Sequence, residues 1–354
     1  MCNKCSFDGF LSSDDIRTGY ISGVTFKNKP VQYSVVDGLA VFEGCIILGT
    51  AEEMEQKAAA IEAGEEVEED VSSRGVFITG ERYRWPNGIV PYQIDPNLPN
   101  QERIINAIVH WQEKTSIRFV QRNSNNANQY PNYILFRPAD GCWSYVGMQG
   151  GKQDIGLAPG CNTGSTIHEI GHALGLWHEQ SREDRDRNIQ IHWENIETQH
   201  RHNFEQHITD GDDSGPYDYD SIMHYPATAF SKNGRPTIST VPSGKPIGNR
   251  NGLSNGDIAT IQFLYPNTGK VLIYEHANFQ GKAVELSQGS YDVNILHQTL
   301  GNDRSSSLKV PAGMKVILYE HGGFQGQAKV FTQDTQYVGD DFNDRTSSLI
   351  VETI

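Results

Sequence analysis

The sequence predicts a multidomain chain: a small N-terminal segment, a central α+β domain, and an all-β pair of Greek-key-like motifs at the C-terminal end. Three observations predict it: an acidic run over residues 52–70, a change of texture from Trp85 onward, and an internal repeat across residues 270–354. With 354 residues, 37% of them hydrophobic, the chain has apolar material for two or three cores. No window approaches the ~18 consecutive apolar residues of a membrane helix, so no membrane span is expected. The 29 Lys and Arg against 44 Asp and Glu give a formal net charge of −15, which argues against a nucleic-acid binder held through phosphates.

In the N-terminal segment, residues 31–50 hold two β-rich runs flanking Asp37-Gly38, the pattern of a hairpin. Ala51 to Ala63 is rich in Ala, Glu, Gln and Lys and stops before Gly64, as a short helix would. This segment is small for an independent core. Between Glu52 and Asp70 nine acidic residues face one base, Lys57, so the helix is expected to pass into a solvated, protease-accessible linker with a boundary near residue 70. A trypsin-like enzyme, or the chain itself, would cut this linker near Ser73-Arg74-Gly75-Val76. The first eight residues begin no apolar leader, so the chain is either cytosolic or lacks its leader here.

From Trp85 the central region turns to Pro- and Gly-punctuated strands. Ile104, Ile105, Ile108, Val109 and Trp111 then recur at helical spacing, with Asn100 placed to cap the helix. A second helix is expected from about Ser165 or Thr166 to Leu174, stopping at Gly175, and the chain is then loop-rich to Tyr265-Pro266. The acidic loop Asp210 to Asp220 reads as solvated, with a bound cation as the lesser alternative.

That second helix carries His168-Glu169-Ile170-Gly171-His172-Ala173-Leu174-Gly175-Leu176-Trp177-His178. His168 and His172 stand one helical turn apart on one face, so both imidazoles can reach one metal ion. Gly175 lets the chain leave the helix sharply, so His178 can return to the same ion. Three neutral imidazoles leave zinc Lewis-acidic with an open position, the arrangement of a catalytic site. Glu169, beside the first ligand, is placed as general base without taking a coordination position.

With these residues the chain resembles the astacin family of metzincin zinc proteases, from about Gly80 to Pro266. The resemblance extends through Glu179-Gln180-Ser181-Arg182-Glu183-Asp184-Arg185-Asp186, Ser221-Ile222-Met223-His224-Tyr225, Arg84-Trp85-Pro86-Asn87-Gly88-Ile89-Val90-Pro91-Tyr92 and Gly141-Cys142-Trp143-Ser144-Tyr145-Val146-Gly147. It implies an α+β metzincin domain with a mixed twisted sheet plus the zinc helix. It implies that Tyr225 is a further zinc ligand able to swing off and donate to the oxyanion, and that Met223 lies beneath the zinc. It pairs Cys142 with Cys161, a disulfide that points to an oxidising compartment and hence to secretion. It also implies that a freed N-terminus meets Glu179 after activation.

Phe42-Glu43-Gly44-Cys45 resembles the family's prosegment motif, in which an Asp binds zinc and blocks the enzyme; here Cys stands at the Asp position. Thiolate is an excellent zinc ligand, so the departure keeps the inhibitory logic and predicts a cysteine switch. A buried hairpin cysteine, or one paired with Cys2 or Cys5, is the alternative reading. Cys2 and Cys5 themselves have the spacing of half a metal knuckle with no second pair, and read as a local disulfide or disorder.

At the C-terminal end, Tyr274-Glu275-His276-Ala277-Asn278-Phe279-Gln280-Gly281 recurs as Tyr319-Glu320-His321-Gly322-Gly323-Phe324-Gln325-Gly326, and Asn302-Asp303-Arg304-Ser305-Ser306-Ser307-Leu308 as Asn343-Asp344-Arg345-Thr346-Ser347-Ser348-Leu349. These paired motifs resemble microbial βγ-crystallin domains. The resemblance implies calcium binding, with Asn302, Asp303, Ser306, Asn343, Asp344 and Ser347 as candidates and backbone help from Glu275 and Glu320. Turn residues without metal are the alternative.

The expected organisation is an inhibitory propeptide at 1–74, an astacin-like zinc protease domain at 75–267 and a βγ-crystallin-like domain at 270–354. The expected activity is that of a secreted, monomeric zinc endopeptidase acting on polypeptides and made as a latent zymogen. The rivals are a calcium-binding, crystallin-like structural or binding protein with an inert protease domain, and an intracellular protease.

Overall fold

The computed structural model describes residues 9–21, 28–63, 81–206, 215–265, 270–311 and 314–353. The chain divides into two compact units, Met1–Tyr265 and Pro266–Ile354. Cys2, Cys5, the cleavage region around Arg74, the end of the acidic run and most of the acidic loop before Gly215 lie outside the described residues. Among those residues no helix is long and apolar enough to cross a membrane.

In the first unit, β1 (Ile16–Ile21) pairs antiparallel with β2 (Lys29–Val36), which pairs with β3 (Leu39–Phe42). Asp37 and Gly38 make the β2–β3 turn with φ of 51° and 79°, the left-handed pair that fits the twist of a two-residue hairpin. The expected second run of this hairpin is broken in two. Glu43 and Gly44, with φ of 47° and 73°, turn the chain between β3 and β4 (Ile46–Thr50). Gly44 has no substitute here, because a Cβ would stand 2.7 Å from Phe230 Cζ and 3.1 Å from Phe10 Cδ1. Helix α1 (Ala51–Glu62) follows with a Thr50–Glu53 capping box.

The sheet continues into the central region as β5 (Ile89–Ile94), helix α2 (Glu102–Lys114), β6 (Arg118–Gln121), β7 (Tyr133–Pro138), β8 (Cys142–Ser144) and β9 (Lys152–Leu157). Its order is β1-β2-β3-β4-β8-β9-β7-β5-β6. Strands β5, β6, β7 and β9 run parallel, β8 antiparallel to β9, and β4 joins β8 in parallel. Asn100 does not cap α2: it sits in the left-handed region (φ 54°), and Gln101 takes the cap position without a side-chain bond. Helix α3 (Thr163–Ala173) starts earlier than the pattern suggested, because Asn162 caps it by accepting from the Ser165 N–H. Trp111 Nε1 and Trp85 Nε1 donate to the Ile167 and Ala173 carbonyls, which fixes α3 against this half of the molecule.

Beyond α3 the chain is loop-rich, as expected, with short 3₁₀ turns between Glu179 and Phe204 and a two-stranded sheet of β10 (Ile189–Ile191) and β11 (Ile238–Thr240). Helix α4 (Asn255–Leu264) was not anticipated; a Ser254–Asp257 capping box starts it.

The second unit is all-antiparallel apart from one short helix. β12 (Val271–His276), β13 (Gln280–Leu286), β14 (Gly289–Tyr291), α5 (Val293–Thr299) and β15 (Ser307–Lys309) carry the first repeat. β16 (Met314–His321), β17 (Gln325–Phe331) and β18 (Ser348–Thr353) carry the second. The sheets are β13-β12-β15 and β14-β18-β16-β17, so β14 crosses into the sheet of the other repeat. In return Thr335 bridges Leu308. This exchange makes the two Greek keys one fold around a core that includes Ile273, Leu308, Val316, Leu318 and Leu349.

Candidate metal centre

Helix α3 places His168 and His172 with their Nε2 atoms 3.1 Å apart. Gly175, at φ 107°, turns the chain back so that the His178 ring stacks on His168 with centroids 5.3 Å apart. The two left-handed residues Glu43 and Gly44 then deliver Cys45, whose Sγ lies 3.6, 3.4 and 3.2 Å from the Nε2 atoms of His168, His172 and His178. All four donor atoms lie within 4.8 Å of one another, and all four residues are buried.

The far side of each ring fixes its tautomer. His168 Nδ1 donates to the Ile222 carbonyl (2.8 Å), His172 Nδ1 to the Leu176 carbonyl (2.7 Å) and His178 Nδ1 to Glu43 Oε2 (2.7 Å). Each Nε2 therefore turns a lone pair inward, and burial holds all three imidazoles well below the ordinary histidine range, hence neutral. Three lone pairs and a sulfur converging in a buried space repel one another without a cation between them. Tetrahedral zinc with ordinary bond lengths sets donors about 3.3 Å (N to N) and about 3.6 Å (N to S) apart, close to the spacings here. The donor set fits a zinc ion.

Glu169 is 2% exposed, and its Oε2 has no hydrogen-bond partner among the described residues. Burial pushes its carboxyl well above the usual range. Burial and the Glu169 charge push the Cys45 thiol up as well; a bound cation reverses that preference by stabilising thiolate. Tyr225 is buried against His178, with ring centroids 4.8 Å apart, and its hydroxyl donates to the Glu43 carbonyl at 2.6 Å. Met223 packs on the zinc helix at Gly171, where a Cβ would stand 2.7 Å from Met223 Sδ. Gly171→Ala is therefore expected to cost about 1–3 kcal/mol of stability, as overpacking does. Thermal melting and the half-life of bound zinc under chelator would check this; an unchanged melt would mean that the contact is idle.

Glu179 is not among the residues of the histidine–cysteine cluster. Its Oε1 accepts from the Asp218 N–H at 2.8 Å, and burial pushes its carboxyl up to about 8. It lines a small cavity with Trp177, Pro216 and Asp257, beside a cleft of about 690 Å³ lined by Tyr217, Asp218, Asp220 and Ser254. Cys142 on β8 is disulfide-bonded to Cys161, which leads into α3, with Cα atoms 6.0 Å apart. Cys45 is the free cysteine among the described residues.

Glu43 is the residue that sequence reasoning passed over. It is buried, accepts from His178 Nδ1 and, at 2.5 Å, from Ser181 Oγ, and its carbonyl holds Tyr225. The visible signal was its place beside Gly44 and Cys45. Its partners, more than a hundred positions away, left no local trace.

In the second unit the candidate calcium residues form two loops, with Asp303 and Asp344 in the left-handed region (φ 55° and 53°). Ser347 Oγ donates to Asp303 Oδ1 at 3.0 Å, which joins the two repeats, whereas Ser306 Oγ donates to the Glu275 carbonyl at 2.7 Å. Asn302 and Asn343 each donate to the neighbouring aspartate, and the Glu275 and Glu320 side chains pair with Arg304 and Arg345.

Residues 77–266 match the family model of the Astacin peptidases. Low choriolytic enzyme of Oryzias latipes is 43% identical over 192 residues, which cover 51% of this chain and 69% of that protein. Blastula protease 10 of Paracentrotus lividus is 41% identical over 194 residues, 52% of this chain. The match covers 32% of that relative and 41% of zinc metalloproteinase nas-13 of Caenorhabditis elegans, so the chain spans about a third to two fifths of these proteins. Among solved structures, a βγ-crystallin domain from Clostridium beijerinckii is 37% identical, covering 24% of this chain and 99% of that one with a TM-score of 0.24.

Proposed function

For a chain that belongs to the astacin family of zinc metalloendopeptidases, as this one does, we propose a peptidase made latent and held shut by Cys45 on zinc. Residues 1–74 are its inhibitory propeptide, 75–267 the protease domain and 270–354 a βγ-crystallin-like appendage. The observation that carries this reading is the convergence of Cys45 Sγ with three inward-facing Nε2 atoms in one buried space.

His168, His172 and His178 would hold the zinc in the active enzyme, and Cys45 would complete its shell in the zymogen. Bound there, zinc supplies Lewis acidity and makes a coordinated water acidic enough to lose a proton near neutral pH. Glu169 takes that proton at its carboxylate and passes it to the departing amine. Its place beside His168 on α3, buried with an Oε2 that has no hydrogen-bond partner among the described residues, suits it to both transfers. Tyr225, once its hydroxyl leaves the Glu43 carbonyl, donates to the oxyanion. The prosegment would therefore block twice: its thiol would compete with water for the metal, and its backbone holds the Tyr225 hydroxyl.

Its substrates would be polypeptides, and the Cys142–Cys161 disulfide supports a secreted protein. Cleavage near Arg74-Gly75 by a trypsin-like protease, or by the chain itself, would sever the propeptide and begin activation. The new N-terminus would meet Glu179 in the acidic cavity of Trp177, Asp218 and Asp257. Hydrolysis of a denatured protein by the full chain, before and after brief trypsin treatment and with and without a zinc chelator, tests the scheme. Activity should appear once trypsin has cut the linker and the segment has been removed by dilution or digestion, and vanish with chelator. Activity before trypsin would remove the latency, and none under any condition would remove the protease.

The C-terminal unit is proposed to bind calcium through the Asp303 and Asp344 loops. Titration calorimetry on the full chain should record calcium uptake that Asp303→Ala weakens; no heat of binding would leave these loops as turns.

A further inference from the structure

We propose, building on the reading of the N-terminal segment as a propeptide, that this segment is a stand-alone inhibitor of its own protease domain. It stays docked when the linker is cut, so that release is a second, separate step of activation.

Among the described residues, the segment has its own contacts with the protease domain outside the linker. Two stretches of the segment reach β8, the outermost strand that the protease domain itself contributes on that side of the sheet, through the backbone: the Ser144 N–H donates to the Cys45 carbonyl (3.0 Å) and the Cys142 N–H to the Gly9 carbonyl (3.2 Å). Phe10 packs against Tyr225 and Phe230 with ring centroids 4.9 and 5.0 Å apart, and Phe42 meets the Trp177 ring edge-on at 5.8 Å. Leu11 lies over Gly141, where a Cβ would stand 2.7 Å from its side chain. The Glu43 carboxylate is bonded to His178 and Ser181, and its carbonyl to Tyr225.

The cores give the same answer. The cluster built on Trp85, Trp111 and Ile170 uses residues from 85 onward alone. The second cluster is shared: Phe10, Val41, Phe42 and Ile46 are buried with Trp177, Phe204, Tyr225 and Phe230. The loop-rich half of the protease domain is thus completed by side chains of the segment. All these contacts fall before Glu62 or after Tyr83, so a cut near Arg74 breaks none of them. What the cut removes is the tether, and with it the high local concentration that a covalent linker provides. An apolar interface with paired backbone and buried aromatic anchors then holds by its own affinity. Cys45 on zinc is one contact among these, so stripping the metal does not undock the segment. The same surface would accept a free segment from a second copy of the chain.

The test uses the full chain cut with trypsin, quenched with a trypsin inhibitor, and followed by denaturing gel, size-exclusion chromatography and peptidase assay. Once every linker is cut, the two pieces should co-elute, with and without chelator. Activity should remain below about a tenth of its final level at micromolar protein, and rise after a lag on thousand-fold dilution or digestion of the segment. Separation of the pieces as fast as the linker is cut, with activity rising in step, would overturn the proposal. So would a co-eluting complex that is fully active. Co-elution followed by no activity after complete removal of the segment would instead sink the protease reading, and the inhibitory role with it.

Discussion

Glu169→Ala is expected to keep the fold and the zinc and to lose proteolysis. The Glu169 carboxylate is 2% exposed, and its Oε2 meets no hydrogen-bond partner among the described residues, so its removal breaks no bond at that atom. Zinc retention should follow the histidines, whose Nδ1 atoms are fixed by Ile222, Leu176 and Glu43 and not by Glu169. Activity after trypsin should fall by about 10²–10⁴, the usual worth of a general base. Metal content by mass spectrometry and the melting temperature should be those of the parent chain. A fully active variant would strip Glu169 of its role, and a variant that lost its zinc would make that role structural. Glu169→Gln, which keeps the shape, should match the alanine variant in activity.

The zinc helix was legible because its information is local: three histidines and a glycine at fixed spacing, read against one helical turn. The repeats of the C-terminal unit were legible because they occur twice. What escaped depends on partners distant in sequence. The exchange of β14 between sheets, and the Glu43 bond to His178, leave no periodic mark. The hairpin was half right: Asp37-Gly38 announced its turn, but Glu43-Gly44, a second left-handed pair, looked like ordinary strand interior until its neighbours Phe10 and Phe230 were in view. Asn100 and Gln101 show how weakly a single capping residue competes with the backbone: Asn100 was drawn into the left-handed region instead. The loop-rich half between Trp177 and Ser254 has no regular periodicity, since its order comes from the shared aromatic core and from side-chain bonds such as Ser221 to Asp257.

Cys45→Ala should raise the activity of the uncut chain without bringing it to the level of the activated enzyme. Removing the thiol would free one donor position, while Phe10, Phe42 and Glu43 keep their contacts with Tyr225, Trp177 and His178. Water then reaches the metal, but substrate still has to displace the segment from β8. A rise of about ten- to a hundredfold over the latent chain corresponds to 1.4–2.8 kcal/mol, the scale of losing one strong contact among several. Packing and ligation are separated by Cys45→Ser, which nearly preserves the volume of a residue 1% exposed but replaces thiolate by a hydroxyl, a poor zinc ligand. If the sulfur acts as a ligand, the serine and alanine variants should be equally unlocked. If Cys45 merely fills space, serine should stay latent and alanine alone should open. Cobalt substitution gives a readout independent of turnover: the latent parent should carry a thiolate-to-metal charge-transfer absorption that Cys45→Ser abolishes. Its absence from the parent would refute the switch, because the sulfur would then lie beside the three imidazoles without binding the ion they hold.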